Sequence, residues 1–147
     1  MRIYQVADKK HYLPLLLLAD EQKSMVDRYL DKSEMFVLDE DGVKGEIVVF
    51  ERPDGICEIK NLAVVPEFQN RCYGRKLIEF VCDKFKNKYP YILVGTGDGG
   101  LAVPFYEKRG FFKCFTVKNF FTDNYDHPIF ENGKQLTDMV YLTKELR

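Results

Sequence analysis

The chain has 147 residues, of which 46% are hydrophobic and 31% are charged, and its formal net charge at pH 7 is −1. These values are typical of a soluble globular protein, and we expect one domain over residues 1–147. The near-neutral charge argues against nonspecific nucleic-acid binding, and the longest apolar run, residues 13–19, is too short to span a membrane.

The N-terminus and the cysteines favour a cytoplasmic protein without a metal. Residues 1–5 lack the long apolar region and the small-residue cleavage site of a signal peptide. Only two histidines are present, so we expect no histidine-based metal site. The four cysteines form no CxxC or Cys/His pattern and are expected to be reduced thiols: Cys57, Cys72, Cys82 and Cys114.

The first part of the chain predicts helices followed by an antiparallel meander. Residues 2–6 predict a strand, and apolar residues at helical spacing over residues 9–30 predict one or two helices, with Asp20 as a candidate cap of the second. Hairpin-turn sequences then separate three more strands. These strands cover residues 35–38, 43–50 and 56–65, with turns at residues 39–42 and 52–55.

The stretch 58–85 predicts a buried strand, a tight polar loop and an amphipathic helix. In the helix, Leu77, Val81 and Phe85 lie at i, i+4 and i+8, and Pro90 ends the pattern. The free N–H groups of the loop and the positive end of the helix dipole together form an anion site. Residues 91–94 predict another strand, so the unit is βαβ and its two strands are expected to be parallel.

The last third predicts a glycine-rich loop, a short helix and two strands. The helix follows loop residues 95–100, has Pro104 in its first turn and Gly110 as its C-terminal cap. The strands are expected at residues 111–117 and 139–142. The fold class expected is α/β (α+β): a mixed, mostly antiparallel central sheet with a central parallel pair, flanked by helices.

Two motifs resemble those of the GNAT N-acetyltransferase superfamily. Residues 69–74, QNRCYG, resemble its Q/R-x-x-G-x-G/A signature and are followed, as in the family, by basic residues and a leucine. Residues 102–111, AVPFYEKRGF, resemble its A-x-x-L-Y-x-x-x-G-F motif. The motifs stand in the family's order after a matching β-meander, so the resemblance covers nearly the whole chain and implies the GNAT fold.

The chain departs from the family pattern at two positions. Cys72 stands where the family has its first motif glycine, whose lack of a Cβ lets the backbone approach a pyrophosphate closely. We therefore expect weakened rather than lost cofactor binding, and a redox-sensitive thiol is the alternative to a tolerated small residue. Gly99 stands where the family often has an asparagine, which removes a polar contact to the pantetheine region.

The resemblance implies acetyl-CoA as co-substrate and assigns residues to it. The backbone of Leu62, Ala63 and Val64 would pair with the pantetheine amides as an added strand does. The loop and the start of the following helix would hold the pyrophosphate, with these residues: Gln69, Asn70, Arg71, Cys72, Tyr73, Gly74 and Arg75.

The resemblance also implies the catalytic residues. Tyr106 matches the motif tyrosine that lies near the cofactor sulfur and acts as general acid, and its alternative is an ordinary core tyrosine. Glu58, four residues before Leu62, matches the strand glutamate that is the base in the histone-acetylating branch. The alternatives are an ion pair between Glu58 and Lys60, Glu46 as the base, or a water chain that needs no single glutamate.

The expected function is acetyl transfer from acetyl-CoA to a primary amine of a small molecule or peptide, directly in a ternary complex. The aromatic and acidic segment 120–131 is a candidate wall for a cationic amine, with a solvated loop or a subunit contact as alternatives. We expect a monomer or homodimer without nucleic-acid or membrane partners.

Three other functions compete with this one. The same fold would also serve a non-catalytic acyl-CoA-binding sensor, and a structural protein without CoA is a further alternative. Residues 95–100 satisfy the dinucleotide pattern G-x-G-x-x-G. Against a nicotinamide enzyme, the acidic residue expected about 20 positions later is missing, and the chain is too short for two mononucleotide-binding halves.

Overall fold

The computed structural model describes all residues from 1 to 147. Helices and strands follow one another in the predicted order. Their bounds are β1 (Arg2–Val6), α1 (Leu13–Ala19), α2 (Lys23–Val26), β2 (Glu34–Asp39), β3 (Val43–Glu51), β4 (Cys57–Val64), α3 (Tyr73–Phe85), β5 (Tyr91–Gly97), α4 (Ala102–Lys108), β6 (Phe112–Val117), α5 (Phe120–Asn124), β7 (Phe130–Glu131), β8 (Lys134–Gln135) and β9 (Met139–Glu145). Short 3-10 turns precede α1 and follow β4.

Seven strands form one sheet in the order β1-β2-β3-β4-β5-β9-β6, and β7 and β8 form a separate hairpin. Each neighbouring pair in the sheet is antiparallel except β4 and β5, which are parallel. This confirms the expected mixed sheet with a central parallel pair. The parallel pair follows from the chain, because α3 carries it from the end of β4 back to the start of β5.

Helices cover both faces of the sheet. The apolar stripe of α3, which includes Leu77 and Val81, packs on one face against Ile47 and other strand residues. Leu16 of α1 and Val26 of α2 pack on the other face. The longest helix, α3, has 13 residues, and no helix is both long and apolar enough to cross a membrane.

The structure corrects the expectation for Asp20 and adds elements in the aromatic segment. Asp20 is the C-cap of α1, whereas Gln22 precedes α2, because the Asp20 carboxylate accepts hydrogen bonds from two tyrosine hydroxyls. Segment 120–135 forms α5 and the β7–β8 hairpin, which the sequence pattern did not indicate. Strand β5 extends three residues past Val94 because β9 pairs with its whole length.

Candidate active site

Strands β4 and β5 separate near the middle of the sheet. Their parallel ladder ends at the pair Ile59↔Val94. Beyond it, β4 continues along β3 and β5 continues along β9, so residues 60–64 have no strand partner on the β5 side. The backbone of Leu62, Ala63 and Val64 therefore borders a cleft that can accept an added extended chain.

Two glycines of β5 let side chains of other segments approach the cleft. A Cβ on Gly95 would lie 2.8 Å from the ring of Tyr141, and a Cβ on Gly97 would lie 2.5 Å from Cδ1 of Leu136. Real Cβ atoms do not make contacts this short. Gly95 and Gly97 of the glycine-rich stretch thus allow close packing around the cleft.

The loop before α3 has the backbone of an anion site. Gln69 closes it against the end of β4, since its Nε2 donates a 3.1 Å hydrogen bond to the carbonyl oxygen of Val64. The N–H of Lys76 donates to the carbonyl of Cys72, so the N–H groups of the three residues between them have no acceptor one helical turn back. These N–H groups and the helix dipole favour a phosphate.

The side chains of this loop divide into structural and exposed groups. Tyr73 is buried and its hydroxyl donates to Glu40, so only its backbone is available to a ligand. A Cβ on Gly74 would lie 3.2 Å from the ring of Phe105, which accounts for glycine at this position. Arg71 and Arg75 are exposed and add positive charge beside the free N–H groups.

Cys72 is an exposed free thiol in the left-handed backbone conformation, with φ of +65°. This conformation costs an L-residue with a Cβ about 1–2 kcal/mol, whereas glycine adopts it freely. Glycine would therefore suit position 72 for two reasons: it adopts the left-handed conformation without strain, and it lets a pyrophosphate approach the backbone closely.

Tyr106 lies on the wall of a cavity of about 390 Å³ at the cleft. The helix α4 holds it, and its ring packs edge-on against Phe111 at a centroid distance of 5.3 Å. The side chain is buried, and removal of the phenolate from water raises the pKa of the phenol. Tyr106 therefore stays protonated at neutral pH and keeps a proton to donate.

Glu58 faces a second, adjoining cavity of about 370 Å³. Its two carboxylate oxygens are paired with different cations: Oε1 lies 3.4 Å from Arg52 Nη1, and Oε2 lies 3.2 Å from Lys60 Nζ. The ion pair with Lys60 that the sequence suggested as an alternative is thus present. Tyr106 lines the first cavity and Glu58 the second, and the walls common to both are Asp20, Ile59, Lys60, Gly95, Tyr125 and Met139.

Glu46, the second candidate for the base, is fully buried on β3 and lines neither of these cavities. The backbone N–H of Ala63 lies nearby but outside good hydrogen-bond geometry, so both carboxyl oxygens are unsatisfied, and burial raises the pKa of Glu46 well above the usual value despite this neighbour. The side chain is therefore held as a neutral acid inside the fold. No group of three or more His, Cys, Asp or Glu side chains is arranged to hold a metal ion.

Several wall residues were not recognised from the sequence. Asp20 was considered only as a helix cap and Tyr29 only as part of an apolar helical face. Asn61 carried no local pattern, because its contacts join residues 32 and 45 positions apart. In contrast, the aromatic and acidic composition of segment 120–131 did predict that it lines a cavity. Its members on the first cavity are Phe121, Tyr125, Ile129, Phe130 and Glu131.

Comparisons with known proteins agree with this geometry. A family model described as an acetyltransferase (GNAT) domain matches residues 31–113. The uncharacterized N-acetyltransferase YvbK of Bacillus subtilis (strain 168) is 36% identical over 135 residues, which are 90% of this chain and 87% of that protein.

Two solved structures resemble the chain over nearly its whole length. A GNAT family acetyltransferase from Elizabethkingia anophelis with acetyl-CoA bound is 38% identical, with a TM-score of 0.92 and coverage of 98% of this chain and 97% of that one. A Bacillus subtilis acetyltransferase in complex with CoA is 33% identical, with a TM-score of 0.90 and coverage of 99% of both chains. On the family match, the identity to these relatives and the shared fold, the chain belongs to the GNAT acetyltransferase superfamily.

Proposed function

We propose that the protein is an acetyl-CoA-dependent N-acetyltransferase that acts on a primary amine of a small molecule or peptide by direct transfer in a ternary complex. The observation that carries this proposal is the cleft between β4 and β5. It lies beside the free N–H groups at the start of α3 and leads into the cavity lined by Tyr106. The relatives solved with acetyl-CoA and CoA support the same co-substrate here.

The residues at the cleft fit the parts of this co-substrate. The open edge of β4 at Leu62, Ala63 and Val64 would pair with the amides of the pantetheine arm. The backbone of residues 69–75 would hold the pyrophosphate, with Arg71 and Arg75 supplying charge. The left-handed Cys72 is the one departure within this cradle.

Acetyl-CoA supplies an acetyl group held as a thioester. Glu58 takes a proton from the acceptor ammonium, directly or through a water, since each of its oxygens is held by only one cation and keeps a free lone pair. The C–N bond forms as the C–S bond breaks, while a backbone N–H near Val64 donates to the carbonyl oxygen. Tyr106 gives its proton to the departing thiolate, and the proton that nitrogen loses as the amide forms returns to the phenolate.

Two measurements test the proposal. Calorimetric titration with acetyl-CoA is expected to give one binding site per chain, and a thiol-release assay over a panel of primary amines is expected to give turnover with an equal amount of acetylated product. Binding without turnover of any amine would contradict the enzyme and favour a sensor. Absence of binding would refute both.

The non-catalytic sensor is the second candidate, and two observations favour it. Cys72 adopts the conformation that suits glycine, and both oxygens of Glu58 are occupied by cations. Such a module would bind acetyl-CoA through the same backbone groups and would release no thiol in the presence of amines.

A further inference from the structure

We infer that Asp20 binds the ammonium group of the acceptor, and that the acceptor is a primary amine without a carboxylate on the carbon bearing the amine. This inference rests on the proposed N-acetyltransferase function and names the class of acceptor. It concerns the end of α1, which the sequence motifs of the family do not include.

Asp20 has a central position at the cavities. It is the one carboxylate that lines both of them, so it lies between the cavity of Tyr106 and the cavity of Glu58. An ammonium group bound to Asp20 is therefore placed between the proposed proton donor and the proposed proton acceptor. The proposed reaction requires the acceptor nitrogen to lie in this position.

The carboxylate of Asp20 is held by neutral donors and has no cationic partner. The hydroxyl of Tyr125 donates to Oδ1 at 2.7 Å, and the hydroxyl of Tyr29 donates to Oδ2 at 3.2 Å. Nδ2 of Asn61 donates to the Tyr29 oxygen at 3.0 Å, which directs the hydroxyl hydrogen of Tyr29 toward Asp20. No Lys, Arg or His forms an ion pair with Asp20, in contrast to Glu58.

Partial burial of the Asp20 carboxylate favours the binding of a cation beside it, because a cation offsets the cost of removing the anion from water. Removal of the anion from water raises the pKa of Asp20, although the two tyrosine donors, the backbone N–H of Gln22 and the more distant charge of Lys60 each lower it. An ammonium group offsets that desolvation, and each oxygen keeps a lone pair for an N–H donor. The tyrosines fix the carboxylate in one orientation before the ligand arrives.

The charges around Asp20 disfavour a carboxylate next to the amine. The charged side chains on the wall of the first cavity are three carboxylates and the ammonium of Lys60, which already pairs with Glu58: Asp20, Glu21, Glu131 and Lys60. The other cations, Arg28, Lys32 and Arg52, line only the second cavity, so the first cavity offers a substrate carboxylate no unpaired cation. A carboxylate on the amine-bearing carbon would lie against Asp20 and be repelled.

The remaining wall of the first cavity suits an apolar body. Phe121, Ile129 and Leu136 form a buried cluster there, with Tyr125 and Met139 packed against it. An arylalkylamine matches this lining, because its ring packs on apolar side chains while its ammonium group reaches Asp20.

The test compares each amine with its α-carboxylated counterpart, beginning with tyramine against tyrosine and phenethylamine against phenylalanine. The same comparison is made for the best amine of the wider panel. We expect kcat/KM for the wild type to favour the amine by about tenfold or more. In Asp20→Asn, the KM for the amine is expected to rise by about tenfold or more and the preference to disappear, with acetyl-CoA affinity unchanged. Asp83→Asn, on the exposed side of α3, is the matched control and should retain the wild-type preference.

Three results would overturn the inference while leaving the acetyltransferase function intact. These are equal turnover of amine and amino acid by the wild type, an unchanged preference in Asp20→Asn with wild-type activity, or an unchanged preference with an equal loss of activity for both members of a pair, as a purely structural role predicts. If Asp20→Asn does not fold, Asp20→Glu keeps the charge and should keep the preference; its loss there counts against the inference. Turnover of no amine with acetyl-CoA bound refutes the proposed function itself, and the inference with it.

Discussion

The hydroxyl of Tyr125 donates a 2.7 Å hydrogen bond to Oδ1 of Asp20, which joins residues 105 positions apart. It connects the end of α1 to the aromatic segment and closes one side of the first cavity. Three longer polar contacts accompany it between residues 21–28 and residues 124–127. We call all four the clasp: Tyr125–Asp20, Arg28–Asn124, Asp126–Gln22 and His127–Glu21.

The Tyr106→Phe variant is expected to lose turnover while binding acetyl-CoA normally. The hydroxyl is the proposed source of the proton for the thiolate, and loss of a general acid lowers kcat by about 10²-fold or more. The ring contact with Phe111 is unaffected by the change, so the fold should persist. Steady-state kinetics and calorimetry check this, with Tyr91→Phe at an exposed tyrosine as control. Wild-type kcat in Tyr106→Phe would remove Tyr106 from the mechanism.

The Cys72→Gly variant is expected to bind CoA several-fold more tightly than the wild type, because loss of the Cβ lets the backbone approach the pyrophosphate more closely. The variant is also expected to be more stable. Glycine relieves a left-handed conformation that costs about 1–2 kcal/mol, offset by about 0.5–1 kcal/mol for its greater freedom when unfolded. The free energy of unfolding should therefore rise by up to about 1.5 kcal/mol. Calorimetry and denaturant titration measure both effects. Cys72→Ala, which keeps the Cβ and removes the thiol, should behave like the wild type; if it matches Cys72→Gly, the thiol is the obstacle.

The Glu46→Gln variant is expected to stabilise the protein at neutral pH but not in acid. Burial raises the pKa of Glu46 in the folded state, so the folded protein binds a proton that the unfolded chain releases. The free energy of unfolding of the wild type therefore falls as pH rises from about 4.3, by at most about 1.4 kcal/mol per pH unit, until the raised pKa is passed. Glutamine does not titrate, so the difference between variant and wild type should be small near pH 4 and grow toward neutral pH. Denaturant titration across this range measures it, with Glu107→Gln at an exposed position as control. A difference independent of pH would show that Glu46 does not titrate with folding.

The His127→Asn variant is expected to weaken the clasp only at lower pH. The carboxylate of Asp126, followed by that of Glu21, raises the pKa of His127. The stabilisation is fully present below the unfolded value of about 6.5 and is lost as pH rises through the raised folded value. The melting temperature of the variant should lie below that of the wild type near pH 6 and equal it near pH 9. His11→Asn at the other exposed histidine is the control, and an equal deficit at both pH values would assign His127 a role that does not depend on its charge.

The order of helices and strands could be predicted because short-range features determine it. The spacing of Leu77, Val81 and Phe85 marks the buried face of α3, and Pro104 and Gly110 mark the start and end of α4. Motif residues 69–72 lie in the predicted loop and Tyr106 in the predicted helix, whereas Tyr73 and Gly74 already form the first turn of α3. Their proposed roles remain predictions that the experiments above test.

Features that depend on residues far apart in the chain were decided by the tertiary structure. Sequence spacing identified Glu58 but not the pairing of both its oxygens, since Arg52 reaches it across a turn between strands. The aromatic segment was recognised by composition, yet its α5 and its contact with Asp20 depend on packing against α1.

By itself, the sequence predicted the family, the order of the elements outside segment 120–135 and a candidate anion-binding loop, because neighbouring residues set helical periodicity, turns and free N–H groups. The tertiary structure alone decided which carboxylates are neutral, paired or open to a ligand. That depends on burial and on partners from distant segments: Glu46 is buried without a partner, Glu58 is paired with two cations, and Asp20 is held by two tyrosines with no cation.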